Sequence, residues 1–149
     1  MQFNWEKLGI KTRVEKNTLY IFDPIRKKYI QETPEEQVRQ FVIYHLVQDL
    51  GYPAASISVE KQITYLKLKK RFDILIFANG QPKLLIECKA PFVELSEDTI
   101  HQIAQYNFAL NAPFFAITNG RNSLIYRVDT KSKKIISEND FPPYQRIIS

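Results

Sequence analysis

The chain has one cysteine, one tryptophan, one methionine and four glycines among 149 residues. With Cys88 alone, no intrachain disulfide can form and the composition argues against a Cys-based zinc site, so a reducing compartment is the expectation. No apolar run approaches the roughly 20 residues that span a bilayer. The opening MQFNWEKLGI lacks the long apolar stretch of a secretory signal. A cytoplasmic location with no membrane partner is therefore expected. Internal repeats and low-complexity stretches are missing. So is any G-x-x-x-x-G-K-[ST] motif, which leaves the chain without a visible ATP-driven motor.

What is present suits one globular domain. The hydrophobic content is 44% and the charged content 25%. Lys+Arg is 21 against Asp+Glu 16, a formal charge of +5. That excess permits contact with phosphate backbones without demanding it.

Thr18 to Phe22 is rich in β-formers, Asp23-Pro24 marks a turn, and Arg26 to Ile30 returns as a second strand. This predicts a basic N-terminal hairpin. Thr33 is a good helix cap, Pro34 suits the first helical position, and Val38, Phe41, Val42, Leu46 and Leu50 recur at helical spacing until Gly51 and Pro53. Strands are expected over Ile57 to Tyr65, Phe72 to Phe77 and Lys83 to Lys89, the last two joined by a tight turn at Asn79-Gly80-Gln81. A second helix starts at Ser96, with Ile100, Ile103, Ala104, Asn107 and Leu110 along one side. Phe114 to Thr118 and Leu124 to Val128 read as two more strands, and the tail with Pro142-Pro143 reads as irregular. The order predicts an α/β domain with a mixed sheet between helices, αβββαβ, behind an N-terminal β-hairpin. The expected division of the single domain 1–149 is an extension over 1–32, a core over 33–130 and a tail over 131–149.

The chemistry concentrates in Arg71 to Lys89. Glu87 and Lys89 are two apart on a strand and share a face, with Cys88 pointing to the other face and the core. A three-residue loop, Asn79 to Gln81, would set Asp73 opposite Glu87 on that face. Two carboxylates and an ammonium would then converge. Mg²⁺ takes one or two carboxylates plus waters and phosphate oxygens. Such a cation can activate water and neutralise charge on a phosphodiester. An E-x-K tripeptide alone is common. The apolar flanks Ile74 to Phe77 and Leu84 to Ile86 make this one a buried hairpin, where charges are costly without a purpose.

This segment resembles the PD-(D/E)XK nuclease core. More specifically, it resembles the N-terminal nuclease domain of type I restriction enzyme R subunits and their short stand-alone relatives. The matching pieces are Arg26 to Ile30, Thr33 to Gln40, Arg71-Phe-Asp73, Leu85 to Pro91, Gln102 to Asn107 and Thr118 to Gly120. They span about residue 25 to about residue 130. Phe72 stands where the family motif usually has proline, a departure that leaves the carboxylates intact.

The resemblance implies a restriction-endonuclease-like core and a Mg²⁺-dependent endonuclease acting on DNA, with Mn²⁺ able to substitute. Asp73 and Glu87 would bind the metal, and Lys89 would act on the attacking water or the phosphate. Gln102 and Tyr106 match a Q-x-x-x-Y element and share a helix face. Glu36 has two readings of equal weight: a third acidic residue near the metal, or the glutamate of a Thr33-x-x-Glu36 capping box. Lys67, Lys69, Lys70 and Arg71 read as a solvated turn, or as a run that steers a strand toward Asp73. His45 reads as a core or boundary residue and His101 as a surface one. The implied partners are DNA and a separate motor or specificity subunit, with a homodimer left open. The rival expectations are a catalytically silent nucleic-acid-binding or assembly module of the same fold, and an α/β domain with no nucleic-acid role.

Overall fold

A computed structural model describes residues 4–149. The first three residues of the expected N-terminal extension lie outside the described residues. The extension carries β1 (Thr12–Glu15), β2 (Thr18–Asp23) and β3 (Lys28–Gln31), an antiparallel sheet in that order. The expected hairpin is its β2–β3 half. The additional strand β1 is exposed at all four residues, so no burial alternation marked it in the sequence. Asp23 shapes the β2–β3 turn by accepting from the backbone N–H groups of Ile25 (2.7 Å) and Arg26 (3.0 Å).

Helix α1 (Pro34–Gln48) begins as expected, with Thr33 Oγ1 accepting from Glu36 N–H at 3.1 Å. Val38, Val42, Ile43 and Leu46 are buried, and so are Glu36, Arg39 and Gln40. Gly51, at φ +77°, reverses the chain, and Tyr52 N–H donates back to Leu46 O at 3.0 Å.

The main sheet has six strands in chain order: β4 (Ile57–Tyr65), β5 (Leu68–Ala78), β6 (Gln81–Cys88), β7 (Phe114–Thr118), β8 (Ser123–Asp129) and β9 (Lys134–Glu138). Only β6 and β7 are parallel. Helix α2 (Glu97–Leu110) supplies the crossover between them, capped by Ser96 and ended by Asn111 in the left-handed region at φ +58°. The sheet separates two cores. Ile74, Ile76, Leu84, Ile86, Phe114 and Ala116 pack on the α1 side with Val42 and Leu46. Leu75, Leu85, Phe115 and Ile117 pack on the α2 side with Ile100 and Ile103. The architecture is thus mixed α/β, with a mostly antiparallel sheet between helices.

Three local departures from expectation matter. The β5–β6 loop has two residues, Asn79 and Gly80, both at positive φ, rather than three. A bulge does the work assigned to the longer loop: Phe77 pairs Pro82 while Ile76 pairs Leu84, leaving Lys83 as the extra residue. The ladder then runs Leu75 with Leu85 and Ile74 with Ile86, which sets Asp73 across from Glu87. Second, Lys69, Lys70 and Arg71 lie within β5 rather than in a turn. The turn itself is Leu66-Lys67, both at positive φ without the glycine or asparagine that announces such a turn. Third, the tail is ordered. Strand β9 extends the sheet, and a short helix α3 (Tyr144–Ile148) buries Ile147. The exposed face of β9 hid it from pattern reading.

Candidate active site

Asp73 sits where the sheet is irregular. Pairing with β4 passes from Val59 opposite Ile74 to Lys61 opposite Phe72, and Glu60 between them adopts φ +53°. Side-chain alternation resets there: Phe72 belongs to the α2-side core and Ile74 to the α1-side core. Asp73 therefore reaches both sides of the sheet. Its Oδ1 accepts from Arg39 Nη2 on α1 at 2.8 Å, and its Oδ2 accepts from Cys88 N–H on β6 at 2.8 Å. Its carboxyl is also hydrogen-bonded to that of Glu87.

Glu87 is 8% exposed, and its Oε1 is buried with no hydrogen-bond partner among the described residues. Burial first, then the hydrogen bond to Asp73 and the repulsion of its charge, push the Glu87 pKa up to about 8; Lys70 and Lys89 offset part of this. For Asp73, burial works upward, but hydrogen bonds from Glu87, Cys88 N–H and Arg39 outweigh it and hold the carboxyl below its usual value. The two carboxyls titrate as a coupled pair, and burial beside the Asp73 charge favours the neutral form of Glu87.

On the α2 side, Glu87 and Lys89 open into a small pocket of about 80 Å³ with Lys70, Thr99, Gln102, Ile103 and Tyr106. Two turns of α2 present Gln102 and Tyr106 to β6. Tyr106 packs edge-on against Phe72 at 6.3 Å, and Lys70 Nζ lies 5.1 Å from the centre of the Tyr106 ring. Lys89 N–H donates to Thr118 O at 2.8 Å, so the backbone fixes this lysine's position independently of its side chain.

The structure therefore brings Asp73, Glu87, Lys89, Gln102 and Tyr106 together and adds Lys70, which the sequence grouped with the basic run. Lys67, Lys69 and Arg71 are exposed on the β4–β5 hairpin and outside the pocket. The side chain of Glu36, expected near the metal or in a capping box, is buried within a charged network. Its carboxylate is bound by Arg26, by Arg39 Nη1 at 2.5 Å and by Gln40 Nε2 at 3.0 Å. The cap bond is made by its backbone N–H. His45 is half-buried, with Nδ1 2.7 Å from Asp49 Oδ2, and His101 is exposed.

Sequence reasoning missed the charged network behind Asp73. Arg26 Nε pairs with fully buried Asp23 at 2.6 Å, and both arginines grip Glu36. Glu60 lies 3.3 Å from Arg26 and 3.5 Å from Arg39. A signal was available: Glu36, Arg39 and Gln40 continue, at helical spacing, the stripe that Ile43 and Leu46 bury.

Among the described residues, no three His, Cys, Asp or Glu side chains converge as a metal-binding group. Two carboxyls of the site, Asp73 and Glu87, could offer oxygens to a cation. Their hard oxygens and the unpartnered Glu87 Oε1 fit a small divalent cation completed by waters and substrate oxygens. Among the described residues no helix is long and apolar enough to cross a membrane.

The family model of the type I restriction enzyme R protein N terminus matches residues 34–142. The match runs from the start of α1 past the end of β9 and contains every residue of the pocket. It leaves out Asp23 and Arg26, the part of the charged network that the N-terminal sheet contributes. No curated protein matches the chain.

Proposed function

Because this chain belongs to the type I restriction enzyme R protein N-terminus family, we propose that it is a Mg²⁺-dependent nuclease domain of the PD-(D/E)XK kind, hydrolysing DNA phosphodiester bonds. The observation that carries the reading is Glu87: a buried carboxyl hydrogen-bonded to a second carboxyl, with one oxygen unpartnered among the described residues, beside Lys89. A structural glutamate at such a place would be expected to satisfy both oxygens.

Asp73 and Glu87 would hold the cation; Mn²⁺ can substitute. The bound cation would activate a water and neutralise charge developing on the phosphate. Lys89 holds its ammonium beside the pocket, where it donates to a non-bridging oxygen or to the attacking water. Gln102 orients that oxygen or water through its amide, and Tyr106 closes the pocket wall. Arg39 fixes the carboxylate plane of Asp73 from behind. DNA and separate motor or specificity subunits are the partners this reading entails, in a cytoplasmic restriction-modification system.

A second reading, a catalytically silent binding or assembly module, draws on a different observation. Asp73 already has both oxygens engaged, by Arg39 and by Cys88 N–H. Incubation of a labelled duplex and a labelled single strand with the protein in Mg²⁺ separates the two. Cleavage that vanishes in Lys89→Ala supports the nuclease. Binding of either DNA without cleavage by the wild type supports the silent module.

A further inference from the structure

Beside the catalytic pocket lies a second depression, a groove of about 170 Å³ whose lining includes Ile63, Leu66, Phe72, Phe108 and Leu110. Two of its walls, Lys70 and Tyr106, also line the catalytic pocket, so the groove and the pocket are contiguous. Phe108 on α2 is 85% exposed and Leu66 at the tip of the β4–β5 hairpin is 79% exposed. Exposing large apolar side chains beside a catalytic pocket is a liability unless something covers them.

The surrounding charge indicates what that is. Between Lys61 and Phe72 the sequence has Lys61, Lys67, Lys69, Lys70 and Arg71 and no acidic residue. Between Thr99 and Asn122 it has no acidic residue at all. The groove is therefore lined by apolar and aromatic side chains, cationic along the hairpin and without carboxylates along the stretch of α2 that lines it. A polyanion that also presents flat apolar faces fits this combination; a protein side chain would meet the apolar lining and have no use for the cations.

We propose that this groove receives an unpaired nucleobase of the substrate strand, stacked against Phe108. The proposal rests on the nuclease reading and adds the substrate class: a single-stranded or locally opened region. Lys70 marks the junction, with the phosphate of the bound nucleotide beside it and the adjoining base in the groove. In a duplex the base faces are stacked and paired, and turning one out costs free energy that an already unpaired strand does not require. Lys67, Lys69 and Arg71, which lie outside the catalytic pocket, then act along the strand's backbone.

The test measures binding without divalent metal, so it does not depend on cleavage. Fluorescence anisotropy of the full chain with labelled oligothymidylate and with a blunt hairpin duplex is compared for wild type, Phe108→Ala, Phe108→Trp and Leu66→Ala. Loss of one base-stacking side chain should weaken single-strand binding roughly tenfold or more, with duplex binding changed little. Phe108→Trp should retain the single-strand affinity, and Leu66→Ala should show a smaller loss. A strand carrying 2-aminopurine should lose fluorescence on binding wild type and not on binding Phe108→Ala. Unchanged single-strand affinity in Phe108→Ala overturns the proposal, as does equal weakening for both DNAs or failure of the wild type to bind the single strand. Self-association of the wild type that Phe108→Ala abolishes would make the groove an interface between copies and also overturn it. If Phe108-dependent binding holds while Mg²⁺ gives no cleavage, the groove stands and the catalytic reading falls.

Discussion

Arg39 Nη2 lies 2.8 Å from Asp73 Oδ1 while Nη1 of the same guanidinium lies 2.5 Å from Glu36 Oε2. One planar fork thus ties the carboxylate of β5 to the first turn of α1. Arg39 and Glu36 are each 6% exposed at the side chain, and Asp73 is 18% exposed. Arg39→Met would leave two buried acids short of their counter-ion. Breaking such a pair costs about 3–5 kcal/mol. Arg39→Lys should recover only part of that, since a point charge cannot bind two carboxylates in fork geometry. Urea denaturation of the three proteins reads the difference. Stability in Arg39→Met equal to wild type would show that the network carries no net stabilisation.

Glu87 makes the metal-free protein sensitive to pH. Its folded pKa, about 8, lies above the ordinary glutamate value of 4.5. The neutral form favours folding, so the contribution is fully present below about 4.5 and lost as pH rises through 8. Metal-free stability should therefore fall from pH 5 to pH 8, by an amount on the order of a few kcal/mol. Glu87→Gln should flatten that slope and stabilise the metal-free protein above neutrality. It should also lose Mn²⁺ binding, which in the wild type should tighten as pH rises because the cation displaces the Glu87 proton. Thermal melts across pH with and without Mn²⁺ check both halves. A wild-type stability independent of pH in this range would mean that Glu87 ionises normally.

The sequence made this site legible to unequal degrees. Glu87 and Lys89 were readable because strand alternation is a strict rule and Cys88 between them is an evident core residue. Gln102 and Tyr106 were singled out by the resemblance to a Q-x-x-x-Y element, and helical spacing added only that they share a face. The position of Asp73 was reached for a partly wrong reason: the register comes from a bulge at Lys83, whose mark in the sequence is Pro82 beside it, a residue that an interior strand tolerates only at such an irregularity. Lys70 was misplaced because the Leu66-Lys67 turn lacks turn chemistry, so strand β5 seemed to start later than it does. Arg39 and Arg26 were missed because charged residues on a helix or in a turn are read as solvated, and their burial depends on three separate segments meeting.

The bulge itself can be tested by deletion. Removing Lys83 should leave Phe77 with Pro82 and Ile76 with Leu84, converting the hairpin to a regular ladder with the same pairing toward Asp73. Removing Leu84 instead gives the same length and register but puts Lys83 into a position that is 0% exposed. That variant should be destabilised by roughly 3 kcal/mol or more relative to the first, through a buried unpaired charge. Denaturant midpoints and Mn²⁺ calorimetry on both deletions make the comparison. If the Lys83 deletion loses Mn²⁺ binding while staying folded, the bulge does more than set the register.

Lys89 gives the sharpest test of mechanism. Its backbone N–H is bound to Thr118 O at 2.8 Å, so the strand keeps its course whatever side chain stands there. Its ammonium is no metal ligand, since it has donors and no lone pair to offer while charged. Lys89→Ala and Lys89→Met should therefore fold normally and bind Mn²⁺ and DNA much as wild type does. If the ammonium acts on charge developing at the phosphate or on the attacking water, its removal costs transition-state stabilisation alone. A single preorganised donor of this kind is worth about 10²–10³-fold in rate. Asp73→Asn should fail differently, weakening Mn²⁺ binding itself, because it removes a ligand charge while its amide can still meet Cys88 N–H through oxygen. Cleavage rates in Mg²⁺ set beside Mn²⁺ calorimetry distinguish the two patterns. Equal cleavage by wild type and Lys89→Ala would remove Lys89 from the mechanism. A Lys89→Met protein that binds DNA but no Mn²⁺ would mean that the lysine organises the carboxylate pair rather than the reaction.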